Sequence, residues 1–240
     1  MNGKRQIWTR VLTALGSALL VLGLLIASIE MFAVNQGFYQ SEYAKLNTAN
    51  DIGISAENLT QVTQKLLQYT TGSEDNLDMQ YEIQGQMQEV FGDREKAHMV
   101  DVKALYLGAR NVRTISLIGA VILIAAAFVV GKKAATRVLC KSFLWVSVGF
   151  LVFVGALAVW AAIDFNNFWI SFHHVFFAGN DLWLLDPRTD VLIQMVPEQF
   201  FSDLVTRIII RFVSIFLTLN IAAAVGLGII KRHGRKAAEA

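Results

Sequence analysis

The chain has 240 residues, of which 55% are hydrophobic and 17% are charged, and its formal net charge is only +2. A mean hydropathy of +0.47 is too high for an ordinary soluble domain of this size, which argues against a soluble enzyme. The single cysteine, Cys140, excludes an intramolecular disulfide and any paired-cysteine metal or redox motif.

Four long apolar runs stand out along the chain. Each is close to the roughly 20 residues that a helix needs to cross a hydrocarbon core of about 30 Å. Because backbone polar groups in lipid must be satisfied within the segment itself, each run predicts a membrane-spanning helix. The predicted fold class is therefore all-α, a polytopic membrane protein that forms a single integral membrane domain over residues 1–240. The four predicted spans cover residues 11–29, 115–130, 143–163 and 208–230.

The first run has the basic start of a secretory signal peptide. Its apolar core is longer than the roughly 7–15 residues of such peptides. Residues 30–33, which follow it, offer no small-x-small cleavage site. We therefore expect the first run to be a retained membrane anchor.

The charged residues predict how the spans are oriented. Residues 1–10, 131–142 and 231–240 carry a net charge of +10, and the rest of the chain carries −8. Since basic residues in short loops stay on the cytoplasmic side, both termini are predicted to be cytoplasmic. The basic residues of the three segments are Lys4, Arg5, Arg10, Lys132, Lys133, Arg137, Lys141, Lys231, Arg232, Arg235 and Lys236, and their one acid is Glu239.

This orientation places two large segments on the outer side of the membrane, outer loop one (residues 30–114) and outer loop two (residues 164–207). It also places Cys140 in a cytoplasmic loop, where a lone reduced thiol is ordinary. Short basic flanks of this kind determine topology, so they give no support for nucleic-acid binding.

Outer loop one is long enough to fold, and its sequence predicts two helices. Ser55 is a favourable N-cap for a helix that runs to about Tyr69, because apolar residues then repeat on one face. Residues 71–76 are turn-forming and end this helix. A second helix is predicted after Gly92, with Asp93 as its cap, and it continues through position 113 into the second span.

Four residues of that second helix fall on one face: Arg94, His98, Asp101 and Leu105. A carboxylate one turn from a histidine can fix the tautomer of the imidazole and raise its pKa, and an arginine can hold an anion. The face is therefore a candidate acid/base site. The alternative is a charged face that is merely solvated.

Outer loop two has the composition of a segment that lies in the lipid headgroup region, because it contains nine aromatic residues. Their spacing predicts an amphipathic interfacial helix over residues 165–176. Turns are predicted at residues 180–181 and 186–190, and Pro197 begins a helix that leads into the fourth span. The nine aromatic residues are Phe165, Phe168, Trp169, Phe172, Phe176, Phe177, Trp183, Phe200 and Phe201.

Three of the four histidines are thus predicted on the outer side, and two of them, His173 and His174, are adjacent in outer loop two. One interpretation is a pair of interfacial imidazoles bonded to lipid or backbone, and the other is a catalytic group. A zinc site needs three or four convergent ligands, for which His98, His173 and Asp181 or Asp190 are the available residues. No HxxxH or HExxH spacing accompanies them, so we expect neither a metal nor a cofactor.

The available nucleophiles narrow the chemistry of an outer site. Cys140 is predicted on the opposite side of the membrane, and no GxSxG elbow occurs. Histidine-assisted direct transfer or hydrolysis is therefore favoured over a cysteine acyl-enzyme. A channel is not expected, because the spans are almost free of polar residues that would line a path.

Two segments resemble a known family. The first is Glu95-Lys96-Ala97-His98-Met99-Val100-Asp101-Val102-Lys103, and the second is Phe172-His173-His174-Val175-Phe176-Phe177. Asn180-Asp181-Leu182-Trp183, Asp190-Val191-Leu192-Ile193 and Pro197-Glu198-Gln199-Phe200-Phe201 follow the second segment. Together they resemble the bacterial lipoprotein intramolecular transacylases, and the four-span layout with two outer loops also fits that family. Residues 35–90 contain no motif that matches it.

The resemblance implies an activity on bacterial lipoproteins at the outer leaflet of a Gram-positive plasma membrane. The sn-2 acyl chain of the diacylglyceryl-cysteine would move to the α-amino group of the same cysteine and leave a lyso-form lipoprotein. The implied partners are diacylglyceryl lipoproteins and membrane lipids, with no nucleic acid. We expect a monomer.

The resemblance also implies roles for individual residues. His98 would act as the base, with Asp101 or Glu95 orienting it. His173, which matches the family's Phe-His-x-x-Phe-Phe pattern, would stabilise the oxyanion or share the proton transfer. The residues expected to bind substrate are Arg94, His174, Phe172, Phe176, Phe177 and Trp183.

Two rival functions remain open on the sequence. Another outer-leaflet acyl-ester enzyme, such as a lipase or a phospholipid-dependent acyltransferase, would use the same histidines and pass the acyl group to water or to a second molecule. A non-catalytic four-span adaptor would bind a partner through its outer loops and would not need either histidine.

Overall fold

A computed structural model describes residues 3–239, without the side chains at positions 234 and 236–239. The topology charges predicted at Lys236 and Glu239 therefore lie outside this description. The described chain is mainly helical. Its α-helices are α1 (Gly3–Ala33), α2 (Gln36–Leu46), α3 (Thr48–Ile52), α4 (Ala56–Thr71), α5 (Asp93–Gly131), α6 (Ala135–Ile163), α7 (Phe165–Phe176), α8 (Val191–Met195) and α9 (Glu198–Glu239).

The helices form two compact units. The first contains the described residues of Met1–Ser28, Asn111–Val159 and Ile209–Ala240, and the second contains Ile29–Arg110 and Trp160–Ile208. The helix α5 contributes to both units, its polar first part to the second and its apolar remainder to the first.

Three stretches of the described chain are long and apolar enough to cross a membrane: Gly3–Ala33, Asp93–Ile163 and Glu198–His233. The middle stretch is 71 residues long and contains both α5 and α6, joined by a short 3-10 turn. Lys132 in that turn has a positive φ of 47°, and the apolar part of α5 begins only after Arg113. Several long apolar stretches in one chain are typical of a multi-pass membrane protein.

Small residues let α1 and α5 approach closely within the first unit. A Cβ added at Gly23 would lie 2.6 Å from Leu117, and one at Gly16 would lie 2.9 Å from Ile124. These pairs run in opposite directions along the two helices, so α1 and α5 are antiparallel. The helix α6 also contacts α1, since the hydroxyls of Thr13 and Ser142 are 2.8 Å apart.

An apolar cluster joins three helices of the first unit. Val21 of α1, Phe143 of α6 and Phe212 and Phe216 of α9 are all buried in it. The Phe143 and Phe216 ring centroids are 6.3 Å apart, and those of Phe212 and Phe216 are 5.3 Å apart. Segments of α1, α5, α6 and α9 therefore pack together as a helix bundle.

The core of the second unit is built around Phe200, which is 0% exposed near the start of α9. Its ring lies 5.3 Å from that of Phe38 and 4.8 Å from that of Tyr39, both in α2. The Tyr43 ring, one turn further along α2, lies 6.1 Å away. This aromatic cluster joins outer loop one to the segment that leads into the last apolar helix.

The two helices predicted in outer loop one are confirmed. Ser55 caps α4 by accepting a hydrogen bond from the Asn58 N–H at 3.1 Å, and Gly72 ends it in the left-handed region at a φ of 86°. The helix α5 does continue into the apolar run. Its predicted cap needs correction, because Asp93 is the first helical residue and the Glu95 carboxylate is the group that accepts the Gly92 N–H at 2.6 Å.

The all-α prediction is wrong at one place, where a β-hairpin separates α4 from α5. The strands β1 (Gln80–Ile83) and β2 (Gln86–Glu89) pair antiparallel across a two-residue turn. Gln84 and Gly85 both have positive φ, of 52° and 79°, as a turn of this length requires. The strand β1 alternates polar and apolar residues, but it is only four residues long, and β2 has one apolar residue and is exposed throughout, so the strand signal in the sequence is weak.

The helix predicted over residues 165–176, the turns after it and the helix that follows Pro197 are confirmed, while the interfacial position of the first helix stays a prediction. Asp164 caps α7 by accepting the Asn167 N–H at 2.9 Å. The segment 186–190 forms a turn, closed by the Asp190 carboxylate on the Asp186 N–H at 2.7 Å. The short helix α8 follows it, and α9 then runs without interruption from outer loop two into the final apolar stretch.

We expect Phe200→Ala to destabilise the second unit by about 3–5 kcal/mol, because it leaves a cavity among the packed aromatic rings. The measurement is thermal unfolding of the purified protein in detergent. Met87→Ala is the control, since Met87 is exposed on β2. Equal melting temperatures for the two variants would show that this cluster is not the core of the unit.

Candidate active site

A buried carboxylate holds the start of α5. Glu95 is only 3% exposed, and its two oxygens accept hydrogen bonds from the Gly92 and Leu192 N–H groups, each at 2.6 Å. Burial raises the pKa of Glu95, while these two N–H groups act in the opposite direction. The carboxylate therefore ties the first turn of α5 to α8 of outer loop two.

His98 lies one turn further along α5 and is only 7% exposed, so this position is not part of a solvated face. Its ring centroid is 6.3 Å from that of His173 and 5.1 Å from that of Phe177. The Nδ1 atom is buried and has no hydrogen-bond partner among the residues that the structure describes. The structure thus brings together two histidines that are far apart in the sequence.

The pKa of His98 moves in the opposite direction to that expected from the sequence. Burial lowers it from 6.5 to about 4, and the positive charge of protonated His173 lowers it as well. Asp101 raises the pKa, but its effect is smaller than that of desolvation. His98 is therefore neutral at physiological pH.

His173 has a defined tautomer. Its Nδ1 lies 2.8 Å from the carbonyl oxygen of Trp169, one turn earlier in α7. A carbonyl oxygen only accepts, so this bond assigns the proton to Nδ1 and leaves the lone pair of the neutral ring on Nε2. Burial lowers the pKa of His173, and the bond to Trp169 partly offsets that effect.

Aromatic rings enclose the His173 imidazole. Trp183 stacks on it with the centroids 4.8 Å apart and the planes at 27°, and Trp169 meets it edge-on at 4.8 Å. The Phe177 ring is 5.5 Å from His173 and also contacts His98. His173 consequently has the apolar surroundings that keep it neutral and restrict its rotation.

His174 occupies a different environment from its neighbour. It is exposed, and its ring meets the edge of Trp183 at 5.2 Å. The helical geometry of α7 turns consecutive side chains about 100° apart, so only one of the pair can face His98. The structure places His173 beside His98. Spacing alone did not separate His173 from His174, whereas the family resemblance had already pointed to His173.

The other aromatic residues predicted to bind substrate differ in exposure. Phe172 is half-buried and meets His173 edge-on at 5.6 Å. Phe176 is 52% exposed, and its ring is 4.7 Å from that of Phe172. Phe177 is buried beside the histidines, so these three side chains extend from the imidazole pair to solvent.

Arg94 and Asp101 contact outer loop two instead of the imidazole. Arg94 donates to the backbone carbonyl of Asp181, and Asp101 accepts a hydrogen bond from the Asn180 side chain at 2.9 Å. The sequence indicated Asn180 as a turn residue and as part of a segment that resembles the family, but it gave no partner for the side chain. A contact between residues 79 positions apart leaves no signal in local periodicity, so this link was missed.

The charged residues that face away from His98 have local partners. Lys96 forms salt bridges of 2.7 Å with Asp78 and 2.8 Å with Glu89, which fasten the hairpin region to α5.

Within the described part of the chain, no group of three His, Cys, Asp or Glu side chains is arranged to hold a metal ion.

The fold and site describe a mainly helical, multi-pass membrane protein with two buried histidines facing each other. The chain belongs to the family described as lipoprotein intramolecular transacylase Lit, whose sequence model matches residues 14–201. Membership supports a transferase role on lipoproteins at a membrane. No match was found among curated proteins.

Solved structures of the membrane-integral lipoprotein intramolecular transacylase Lit from Bacillus cereus share this fold. One is 19% identical with a TM-score of 0.70, covering 97% of this chain and 98% of its own. A variant with one histidine replaced by arginine is 18% identical with a TM-score of 0.71, covering 94% of each chain. A variant with one histidine replaced by alanine is 19% identical with a TM-score of 0.71, covering 94% and 96%.

We expect the protein to lose stability as the pH falls from 7 toward 4. The unfolded chain binds a proton at His98 near pH 6.5, whereas the folded chain binds it only near pH 4, so acid favours unfolding. The shift from 6.5 to about 4 corresponds to about 3 kcal/mol. Thermal unfolding in detergent across this pH range measures the effect.

His98→Gln should weaken the pH dependence of the melting temperature, because it removes one of two buried imidazoles. His173 still contributes, since burial lowers its pKa as well. His233→Gln is the matched control, since His233 is exposed in the final helix. If the His98 variant and the parent lost stability in parallel, the imidazole would not be the buried neutral group described above.

Proposed function

We propose that this protein moves the sn-2 acyl chain of a diacylglyceryl-cysteine lipoprotein to the α-amino group of the same cysteine, giving the lyso-form. The observation that carries the proposal is the buried imidazole pair, His98 and His173, in a chain of the transacylase family. The substrates are membrane-anchored lipoproteins of a Gram-positive cell, and the catalytic unit is a monomer that needs no cofactor or metal.

The proposed topology is a single integral membrane protein with four crossings, near residues 11–29, 115–130, 143–163 and 208–230. The packing of α1, α5, α6 and α9 in one unit supports it, as does the turn at Lys132 between the two central helices. The distribution of basic residues orients both termini toward the cytoplasm. The imidazole pair is then on the outer face, where mature lipoproteins are anchored.

The proposed reaction converts an ester to an amide within one substrate molecule. The substrate ammonium first releases one proton to solvent, and its neutral nitrogen attacks the sn-2 ester carbonyl. The base then takes a second proton from that nitrogen and passes it to the glyceryl oxygen, which the tetrahedral intermediate expels. One C–N bond forms and one C–O bond breaks, so the total mass is unchanged. The protein mainly has to orient amine and ester, for which effective molarities are very large.

The tautomer of His173 makes it the proton acceptor of this reaction. Its Nε2 carries the lone pair that accepts the proton. The Trp169 carbonyl still accepts the hydrogen bond from Nδ1–H when the ring becomes an imidazolium. The sequence had favoured His98 for this role. His98, with a pKa of about 4, stays neutral and can donate its one N–H to the developing oxyanion.

The aromatic residues of α7 supply the acyl-chain environment. Phe177 and Phe172 line the site beside His173, and Phe176 is exposed at its edge. An apolar row of this kind can guide a lipid chain from the headgroup region to the imidazole pair. The exposed His174 is available to contact the lipid headgroup.

We expect His98→Ala and His173→Ala each to lower the transfer rate by at least about 100-fold, the range of acid/base and oxyanion groups. The measurement uses purified protein in lipid and a synthetic diacylglyceryl lipopeptide, whose product is identified by fragmentation mass spectrometry. The expected product has unchanged mass, an N-acyl group and a monoacylglyceryl thioether. His233→Ala is the matched control.

Each rival function gives a different result in the same assay. A free fatty acid or a lysophospholipid, with loss or gain of an acyl chain on the peptide, would indicate an enzyme that uses water or a second lipid. An unchanged lipopeptide with the intact protein would contradict the transacylase proposal and favour the adaptor.

Cysteine labelling tests the proposed topology in a Cys140→Ala background. We expect Ser73→Cys to react with a membrane-impermeant maleimide in intact cells, because Ser73 lies in outer loop one and is exposed. Lys133→Cys, also exposed, should react only after permeabilisation. Labelling of both positions from outside would rule out four crossings with this orientation.

A further inference from the structure

We propose that Asn180 is a positioning residue of this site. Held by Asp101 and Arg94 of α5, its turn fixes Trp183 against the His173 ring. The inference rests on the proposed function, in which His173 accepts the proton. It concerns the residues that hold that imidazole in place and do not themselves react.

Asn180 uses both ends of its side-chain amide. Its Nδ2 donates to Asp101 Oδ2 at 2.9 Å, and its Oδ1 accepts the Leu182 N–H at 3.1 Å. The first bond attaches the loop to α5, and the second closes an Asx turn that sets the backbone direction after Asn180. Aspartate at this position would supply the turn acceptor but no donor for Asp101.

Arg94 attaches the same turn at a second point. Its guanidinium donates to the carbonyl oxygen of Asp181, the residue between the two ends of the Asx turn. Arg94 and Asp101 are seven positions apart on α5, so they share a face, and His98 lies between them. The turn is therefore fixed to the helix on either side of the first imidazole.

The consequence of this attachment reaches the second imidazole through Trp183. The indole comes two residues after Asp181 and stacks on the His173 ring, with the planes at 27°. The Trp169 carbonyl fixes only Nδ1, and Trp183 is the ring that stacks on the imidazole face, whereas Trp169 meets its edge, so the indole limits tilting about that bond on the stacked side. The two anchors on α5 thus control the separation and angle of the imidazole pair.

This arrangement accounts for two residues that the sequence assigned to other roles. Arg94 was expected to hold an anion and Asp101 to orient His98. Their hydrogen-bonding groups are instead directed to the 180–181 turn. Asp101 still acts on His98 through its charge, which raises the pKa of that imidazole.

The test is a charge exchange between the two bonded side chains. Asn180→Asp alone sets two carboxylates against each other, and we expect kcat to fall by at least about tenfold with KM changed by less than about threefold. Asn180→Asp combined with Asp101→Asn restores one donor and one acceptor. We expect the double variant to recover kcat to within about threefold of the parent. Asn76→Asp is the matched control, since Asn76 closes an exposed Asx turn elsewhere in the unit.

A second readout does not depend on activity. With ¹³C-labelled histidine, the His173 ring signal is assigned by its loss in His173→Gln, and the stacked indole should shift it upfield in the parent. We expect the shift to disappear in Asn180→Asp and to return in the double variant. The ring signal of His233 serves as the internal reference.

The two readouts separate failure of this inference from failure of the proposed function. If the parent protein does not convert the lipopeptide, the transacylase proposal fails. The ring shift of His173 still tests whether Trp183 is anchored. If Asn180→Asp keeps the parental kcat and ring shift, the positioning role is overturned. A double variant that folds but stays as impaired as Asn180→Asp also overturns it.

Discussion

The geometry of the site depends on the hydrogen bonds that the buried Glu95 carboxylate accepts. A carboxylate removed from water costs several kcal/mol unless its oxygens are satisfied, and here two backbone N–H groups from separate segments satisfy them. One comes from Gly92 at the start of α5 and the other from Leu192 in α8. His98 follows one turn after Glu95, and Trp183 precedes α8, so this bond and the Asp101–Asn180 bond fix the active part of outer loop two at both ends.

Burial also sets the proton chemistry of the two imidazoles. Their centroids are 6.3 Å apart, and the protonation of His173 makes that of His98 less favourable. At most one proton is therefore easily held by the pair at neutral pH. The proposed transfer needs just one proton to be taken from the amine and returned to the glyceryl oxygen. Desolvation keeps both rings neutral at rest, while the Trp169 carbonyl favours the imidazolium of His173 over that of His98.

The sequence predicts the features that depend on neighbouring residues and misses those that depend on contacts between distant residues. The Ser55 cap and the continuity of α5 depend on neighbouring residues, and both predictions are confirmed. Only the cap predicted for α5 at Asp93 is wrong, because Glu95 accepts the Gly92 N–H. The hairpin was missed because its turn at Gln84 uses no Asn-Gly pair and its strands are only four residues long, with β2 exposed throughout. The link from Asn180 to α5 and the downward pKa shift of His98 arise only from tertiary packing, which no local pattern encodes.

The aromatic surroundings of His173 bear on selectivity between an amine and water as acceptors of the acyl chain. Water is far more concentrated than any substrate group, so an ester beside a histidine base is ordinarily hydrolysed. Trp183 covers one face of the His173 ring and Phe177 contacts both imidazoles, which limits the room for water at the base. An amine delivered by the same molecule does not have to enter from solvent. In the proposed reaction, exclusion of water by these rings therefore favours the amide product, and direct transfer to the amine forms no acyl-enzyme that water could attack.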